Sequence, residues 1–552
     1  MFGPGSPVAR ALLTICCLLA AAALPAQPFT PTRPAAATEI ERLLQSEPLR
    51  VGDIDILARE YLLEAYRASG FQPLWTDRHD IRELLELVEA AREHGLEPED
   101  YGTQKIRQLL RQVDDTASAR TVAATDILLS ESLFRYIYHR RFGKIKASSL
   151  DPDINYRREV FGGLSPGATL RQALEAPSLT GFIETLAPTG PFYRALQSWL
   201  RVYRGLEAAG GWPEVPKGPT LHPGDVDQRV RALRERLRVT GEASDAAVMQ
   251  PEFFDETLEQ AVKIFQRRHA LTVDGLVGRQ TLEALNVPAA RRVGQLRLGL
   301  ERLRWVSQEA TDTLVAVNIA GFKVFYVRDG ERVWQTRAMV GRTYRQTPTF
   351  RGEMAYLELN PSWTLPPVIL RNDTLPTLKR NPAYLAENRI RVFDDAGAEV
   401  DPSTIDWTRF DGLPPFVLRQ DPGPGNALGA IKFIFPNRHS VFLHDTPHQA
   451  LFEQADRAFS SGCIRIEDPL GLAELLLDDP ARYSRRALES MISGGETRRI
   501  PVPGKVPVLI LYLTASVDAD GEVLFYRDIY GRDAKALQSL DGPVVLDLPL
   551  SG

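Results

Sequence analysis

The spacing of apolar residues changes along this chain, and that change limits the fold more than any other feature of the sequence. From about Glu39 to about Leu206, apolar residues recur three and four positions apart, which predicts amphipathic helices. A stretch rich in proline and glycine at 207–224 then marks a boundary. Beyond Trp305, valine, isoleucine, phenylalanine and tyrosine come in near-alternating runs, which predicts strands. The two patterns together predict a multidomain α+β protein.

The length agrees with several domains, because 552 residues exceed what one hydrophobic core usually supports. We predict a signal peptide (1–26), a linker (27–38), a helical scaffold domain (39–206), a small three-helix domain (222–288), a β-rich domain (312–500) and a C-terminal β-hairpin segment (501–552). The hairpin is expected to pair Val508–Thr514 with Val523–Tyr526. Polar turns and helical pieces interrupt the strand pattern at 367–424, which indicates a capping insertion that acts as a lid.

The first residues predict export. Arg10 precedes an apolar run, Ala11 to Leu24, that ends in small residues and is short for a membrane span. Cleavage after Ala23 and cleavage after Ala26 both fit, and an uncleaved anchor is the alternative. No later stretch is apolar enough to span a bilayer, so we expect a soluble mature protein. The 66 basic and 71 acidic residues give no electrostatic reason to expect nucleic acid as a partner.

Cysteine usage points to one residue. Cys16 and Cys17 lie in the predicted signal peptide, so the mature chain keeps only Cys463, which has no partner for an internal disulfide. A buried, inert thiol is one interpretation. The setting of Cys463 favours another, because Gly462 permits a tight turn and Arg465 favours the thiolate.

A histidine supplies the base that such a thiol needs. His444 directly follows the predicted strand Ser440–Leu443, and histidine is the usual partner of a nucleophilic thiol. His79, His94 and His139 are scattered in the sequence and have no partner at metal-ligand spacing. Nucleophilic catalysis by a thiol with a histidine base requires neither a metal nor an organic cofactor, so we expect neither.

The three-helix unit also resembles a known family. Its residues Ala261-Val262, Phe265-Gln266, Asp274-Gly275 and Thr281 to Asn286 match the pattern of the peptidoglycan-binding domain 1 type. The resemblance implies that peptidoglycan is a partner of this unit. A generic helical spacer is the alternative.

Four runs in the β-rich part resemble the L,D-transpeptidase (YkuD-like) catalytic domain: Asn426–Gly429, Lys432-Phe433, Leu443–Thr446 and Ser460–Arg465. More closely, the chain resembles the long periplasmic members of YcbB type, which carry a scaffold, a peptidoglycan-binding domain and a capping insertion in this order. Many shorter members have His where Ser461 stands and Gly or Ser where Asp445 stands. We interpret these differences as a subtype.

The resemblance implies roles for individual residues. Cys463 becomes the nucleophile and His444 its base, while the N–H groups of Gly462 and Cys463 contribute to an oxyanion site. Ser461 lies in the pocket near these groups. The group that orients His444 is either Asp445 or a backbone carbonyl near it.

The resemblance also implies substrate contacts. Arg465 lines the pocket, Tyr344 and Arg345 face the cleft, and Asn426 belongs to a matching run. Trp363 lies in a run that borders the donor site, although an ordinary core aromatic is an equal alternative for it.

The implied activity is a peptidoglycan L,D-transpeptidase that forms 3→3 crosslinks from tetrapeptide stems through a cysteine thioester. The partners are then stem peptides and glycan, the location is the periplasm, and carbapenem-type compounds are inhibitors. An L,D-carboxypeptidase or a protein-to-wall attachment enzyme would use the same thioester. A non-catalytic peptidoglycan-binding scaffold is the third alternative.

Overall fold

The computed structural model describes residues 33–546, apart from 115, 159–160, 245–248 and 310. The predicted signal peptide at 1–26 and the first part of the predicted linker lie outside the described residues. Within the described part, no helix combines the length and the apolar composition that crossing a membrane requires.

The N-terminal part is helical, as predicted. Its elements are α1 (Arg33–Leu44), the two-stranded ribbon β1 (Arg50–Val51) and β2 (Ile54–Asp55), α2 (Arg59–Ala68), α3 (Arg78–Glu89), α4 (Thr103–Leu110), α5 (Ala119–Phe142), α6 (Ala147–Leu150), α7 (Pro166–Glu175), α8 (Leu179–Leu186) and α9 (Pro191–Ala208). Helix α5 runs through the centre of this domain and is buried along most of its length. Its Asp126 accepts hydrogen bonds from Tyr66 Oη at 2.6 Å and from the Leu74 N–H at 3.0 Å, which satisfies a buried carboxylate.

The next unit has the predicted three helices, α10 (Arg229–Val239), α11 (Glu256–Arg268) and α12 (Arg279–Leu285). Asp255 begins α11 by accepting a hydrogen bond from the Leu258 N–H at 2.8 Å. The apolar residues of the three helices form a core of their own. Helix α13 (Ala289–Val306) follows and packs against α9.

The β-rich domain opens with β3 (Leu314–Asn318), β4 (Lys323–Arg328), β5 (Glu331–Gly341) and β6 (Arg351–Leu359). The inserted segment, which we define as 363–420, comprises β7 (Trp363–Thr364), α14 (Pro367–Ile369), a π-helical turn (Leu370–Thr374), α15 (Leu375–Leu378), α16 (Tyr384–Glu387), β8 (Ile390–Phe393), β9 (Glu399–Val400) and β10 (Val417–Gln420). Its strands form a separate sheet in the order β7-β10-β8-β9. An apolar cluster that includes Leu378 and Trp407 gives the segment its own core.

The chain then completes the main sheet. The remaining elements of this part are β11 (Ile431–Ile434), β12 (Leu443–His444), β13 (Ala458–Ser460), β14 (Ile464–Ile466), α17 (Pro469–Leu477), α18 (Pro480–Tyr483), α19 (Arg485–Ser493) and β15 (Arg498–Leu511). Nine strands lie side by side in the order β13-β5-β14-β12-β11-β6-β15-β3-β4.

The C-terminal end differs from the prediction. Strand β15 belongs to the main sheet, where Val508 pairs with Val315 in parallel, so the predicted pairing of Val508–Thr514 with Val523–Tyr526 is wrong. Its run Val508 to Ile510 is buried on both faces, which is typical of an internal strand and not of an exposed hairpin. The hairpin forms between the shorter β16 (Ala515–Val517) and β17 (Val523–Phe525), and α20 (Asp533–Asp541) ends the described elements.

Candidate active site

The pairing of the central strands creates one apolar row and one polar row. Leu357, Phe433, Leu443 and Ile464 are successive partners across β6, β11, β12 and β14 and point into the core. Successive residues of a strand point to opposite faces, so the adjacent positions form a row on the other face. That polar row contains Glu358, Lys432, His444 and Arg465.

Cys463 lies in the nucleophile loop, defined as Ser460–Cys463, between β13 and β14. Gly462 has a φ of +118°, a left-handed conformation that disfavours other residues. Ser460 Oγ accepts a hydrogen bond from the Gly462 N–H at 3.1 Å and donates one to the Cys463 carbonyl at 2.5 Å. These bonds fix the loop, and Cys463 is half-buried at its end.

The buried His444 is held by the main chain. Its Nδ1 lies 2.5 Å from the Asp445 carbonyl oxygen, and a carbonyl can only accept, so Nδ1 carries the proton and Nε2 offers its lone pair. The Asp445 carboxylate accepts instead from the Ala430 N–H at 2.8 Å and from Gln449 Nε2 at 3.0 Å. Of the two groups left open by the sequence, the backbone carbonyl is the one that contacts the imidazole.

The thiol and the imidazole belong to neighbouring segments of the sheet. Leu443 pairs with Ile464 and His444 pairs with Arg465, so Cys463, which directly precedes β14, lies beside β12, the strand that ends with His444. Among the described contacts, Sγ approaches the Ser440 carbonyl oxygen at 3.6 Å and makes no hydrogen bond to His444. Hydrogen bonds of this kind are often long or poorly aligned when no substrate is bound.

The electrostatic environment favours the uncharged forms of Cys463 and His444 when no substrate is bound. Burial raises the pKa of the Cys463 thiol, although Lys432 and Arg465 oppose that shift. Burial, Arg465 and Lys432 lower the pKa of His444 to about 3, although the carbonyls of Asp445 and Leu428 oppose the change. At neutral pH the site therefore holds a thiol and a neutral imidazole, whose Nε2 can accept a proton.

This state predicts how Cys463 reacts with pH. In the chain without residues 1–26, whose single cysteine is Cys463, we expect the iodoacetamide rate constant to rise from pH 6 to pH 9 without a plateau. The raised pKa is the reason, since only the thiolate reacts. The same chain unfolded in urea provides the reference thiol, with a pKa of about 8.5. A rate that levels off by pH 7 would indicate a preformed thiolate–imidazolium pair and contradict this description.

Arg465 and Ser461 flank Cys463 in the sequence and differ in exposure and contacts. Arg465 is half-buried beside the thiol, and its guanidinium has no carboxylate partner among the described residues. Ser461 is exposed, and its Oγ accepts a hydrogen bond from Arg345 Nη1 at 3.0 Å. Tyr344 is exposed, with its hydroxyl 3.1 Å from Arg342 Nη1.

Three predictions need correction or refinement. Asn426 is fully buried and uses its amide groups on the Asp421 carbonyl and the Leu428 N–H, so its predicted contact with substrate is wrong and it shapes a turn. The Gly462 N–H is already bonded to Ser460, so it is not free for an oxyanion in this conformation. Trp363 is half-buried on β7 against the core of the inserted segment, where either interpretation of it still fits.

Sequence reasoning gave no role to several residues that shape the site. Thr347 donates from Oγ1 to the Gly462 carbonyl at 2.8 Å, and Ser460 holds the loop as described. Lys432 sits in the polar row, with Nζ 4.0 Å from the centre of the Phe442 ring. A lysine inside the apolar run Ile431 to Phe435 was the available signal for it, because a buried lysine is rare without a partner.

Within the part of the chain that the structure describes, one group of residues has metal-ligand geometry, and it is remote in sequence from Cys463. His79, Asp80 and Glu83 bring ligand atoms within 4.8 Å of one another at the protein surface. Glu83 already accepts hydrogen bonds from the N–H groups of Leu179 and Thr180, both at 2.9 Å, so it caps α8. Exposed acidic groups of this kind are common without an ion.

Comparison with known families matches three parts of the chain. Residues 312–506 match the L,D-transpeptidase catalytic domain, 226–285 match the family described as "Putative peptidoglycan binding domain", and 60–200 match a scaffold domain. A protein of Haemophilus influenzae described as "Putative L,D-transpeptidase" is 33% identical over 260 residues, which cover 46% of this chain and 52% of the relative. The chain thus spans about half the length of the curated relative it matches.

Solved structures of L,D-transpeptidases are similar at low identity. The enzyme of Xylanimonas cellulosilytica shares 15% identity over 53% of this chain and 98% of its own, with a TM-score of 0.17. L,D-transpeptidase 1 of Mycobacterium tuberculosis shares 13% over 36% of this chain and 61% of its own, with a TM-score of 0.14. Scores this low support no further conclusion.

The matched residues 312–506 include the nucleophile loop, His444 and the polar row. The match to residues 60–200 falls within the helical part, and the match to residues 226–285 includes α10–α12. This chain therefore carries an L,D-transpeptidase catalytic domain, preceded by a scaffold domain and a peptidoglycan-binding domain.

Proposed function

We propose that the protein is a peptidoglycan L,D-transpeptidase that forms 3→3 crosslinks through a thioester at Cys463. The observation that carries the proposal is the position of Cys463 directly before β14, which pairs with the strand β12 that ends with His444, together with the bond from His444 Nδ1 to the Asp445 carbonyl. That arrangement supplies a nucleophile, a base and a group that orients the base. The predicted signal peptide supports a periplasmic location.

The proposed reaction is a two-step acyl transfer. The Cys463 thiol passes its proton to His444 Nε2, and the sulfur attacks the carbonyl of the third residue of a tetrapeptide stem. His444 returns the proton to the amine of the departing D-Ala, which leaves a thioester. The side-chain amine of a neighbouring stem then attacks the thioester, and the thiol is regenerated. The Cys463 N–H, which has no hydrogen-bond partner among the described residues, and the Arg465 guanidinium are suited to stabilise the oxyanion.

The acyl acceptor, which is the group that attacks the thioester, distinguishes this proposal from its alternatives. An L,D-carboxypeptidase would use water on the same thioester, and an attachment enzyme would use a protein amine. A non-catalytic peptidoglycan-binding scaffold would have no need for the thiol. Carbapenem-type compounds, which acylate nucleophiles, are expected to modify Cys463.

Product analysis tests the activity. We would incubate the chain without residues 1–26, and its Cys463→Ala variant, with a disaccharide-tetrapeptide and measure products by mass spectrometry. A dimer with the mass of two substrates minus one D-Ala, absent with the variant, is the expected result. Release of D-Ala with tripeptide alone would favour the carboxypeptidase, and an unchanged substrate would favour the scaffold.

The sequence predicts a lid at 367–424, and we propose this role for the inserted segment, 363–420, which contains most of that range. Its ends are close, because Trp363 and Gln420 are paired across β7 and β10, and its core is its own, so a two-residue turn can replace 363–420. We expect this deletion to lower crosslinking turnover at least about tenfold, since the substrate loses a wall that positions it. Binding to isolated sacculi through 222–288 should persist. Unchanged turnover would contradict a lid role.

A further inference from the structure

A turn rich in arginine lies against the nucleophile loop. We name residues 341–347, between β5 and β6, the arginine turn. The Arg342 N–H donates to the Ser460 carbonyl at 3.0 Å, and Thr347 Oγ1 donates to the Gly462 carbonyl at 2.8 Å. With the bond from Arg345 to Ser461, three hydrogen bonds fix the arginine turn relative to Cys463.

Arg345 holds a carboxylate at this position. Its Nη2 donates to Asp373 Oδ1 at 3.0 Å and its Nη1 donates to Asp373 Oδ2, which is the two-pronged geometry in which arginine recognises carboxylates. The Arg345 side chain is 12% exposed, whereas that of Asp373 is 45% exposed. The cation is thus fixed in the wall of the site, and the carboxylate reaches it from outside.

The carboxylate belongs to the inserted segment. Asp373 lies on the π-helical turn Leu370–Thr374, whose buried Leu370 packs in the separate core of that segment. No part of the nucleophile loop or of the arginine turn supplies a carboxylate, since neither contains an aspartate or a glutamate. Asp373 therefore occupies a carboxylate site that the rest of the domain builds.

The surroundings of this site carry excess positive charge. Arg342 and Arg465 have no carboxylate within salt-bridge distance among the described residues, and burial together with the charge of Arg342 lowers the pKa of Arg465. A cleft with unpaired arginines attracts an anionic ligand. Asp373 lies on the inserted segment that we propose as a lid, and it is an exchangeable partner for the neighbouring Arg345.

The substrate of the proposed function brings a matching group. The D-residue that leaves ends in a carboxylate one residue beyond the attacked carbonyl, and Ser461 lies two residues before Cys463, within about 7 Å of Cα separation. We propose that Arg345 binds the terminal carboxylate of the departing D-residue and that Asp373 occupies this site in the free enzyme. This inference rests on the proposed function, because that function supplies the D-residue.

Replacement of Asp373 by the substrate carboxylate explains why Arg345 is held in place while Asp373 is exposed. When the stem peptide enters, its carboxylate takes the place of Asp373 on Arg345. The inserted segment is then released from the arginine turn and is free to settle on the peptide. Arg345 thus selects stems with a free terminal carboxylate, and Asp373 sets the concentration at which they bind.

Equilibrium binding measurements test this inference independently of turnover. On the Cys463→Ala background, we would measure by calorimetry the Kd of a disaccharide-tetrapeptide ending in D-alanine and of the same compound ending in D-alaninamide. We expect Arg345→Gln to weaken binding of the acid at least tenfold and to change binding of the amide less than twofold. Equal losses for both compounds would overturn the assignment, because they would indicate a structural role.

The second variant gives a result that misfolding cannot produce. Asp373→Asn is expected to tighten binding of the acid several-fold, since the internal competitor loses its charge. Asp411→Asn removes an equal charge from the same segment at a fully exposed position and should change neither Kd. Unchanged or weaker binding of the acid by Asp373→Asn would overturn the exchange. Failure of the proposed function would instead appear as absent turnover in the product assay with the intact thiol.

Discussion

Replacing His444 with glutamine is expected to lower the turnover number about 10²- to 10⁴-fold, the usual worth of a general acid–base group. The neutral amide is close in size to the neutral imidazole, so the buried side chain is replaced without adding charge. The chemistry fails because no group then accepts the proton of a thiol whose pKa burial has raised. Initial rates of dimer formation at pH 7 measure the effect.

His448 provides the matched control for this prediction. It lies four residues further along the chain, is exposed and belongs to the loop after β12. His448→Gln should leave the rate within about twofold, because surface changes are usually small in effect. If His444→Gln retained most of the activity while His448→Gln lost it, the assignment of the base would be wrong.

Replacing Glu301 with glutamine is expected to cost about 3–5 kcal/mol of stability, the penalty for breaking a buried ion pair. Glu301 and Arg304 on α13 are both fully buried and lie 2.6 Å apart. Glu301 also accepts the Ile145 N–H at 2.7 Å and the Trp305 Nε1–H at 3.0 Å, which ties α13 to the helical domain. Glutamine would leave the Arg304 charge buried without a counter-ion.

Urea unfolding followed by tryptophan fluorescence measures this loss as a lower midpoint. Glu93 offers the control, since its pair with Arg201 has the similar separation of 2.8 Å but both side chains are more than half exposed. Glu93→Gln should cost less than about 1 kcal/mol. A Glu301→Gln variant that unfolds within 1 kcal/mol of the unchanged chain would contradict the importance of the pair.

Much of the architecture was predictable because local patterns encode it. The helical spacing gave α3 and α11, the alternating run around Gly321 gave the β3–β4 hairpin, and Asp468 gave the start of α17. The end of the chain was predicted wrongly, since strand pairing depends on distant partners. The run Val508 to Ile510 pairs with Val315 far earlier in the chain, and no local signal reports that.

In the candidate site, too, some features were predictable from the sequence and others were not. The thiol and the histidine were visible as a motif, but the orienting group was not, because Asp445 offers both a carboxylate and a carbonyl and only geometry chooses between them. Asn426 was misassigned since its motif does not reveal whether the side chain is buried. The contact of Arg345 with Asp373 joins the arginine turn to the inserted segment. These two segments are separate in sequence, so only the three-dimensional structure reveals the contact.

The thioester itself is the most direct test of the central claim. The chain without residues 1–26 would be mixed briefly with a disaccharide-tetrapeptide, quenched in acid and measured by intact-protein mass spectrometry, then digested to locate the adduct. We predict a mass increase equal to the substrate minus one D-Ala, carried by the peptide that contains Cys463 and absent after Cys463→Ala. Release of D-Ala without such an adduct, or an adduct on another residue, would contradict acyl transfer through this thiol.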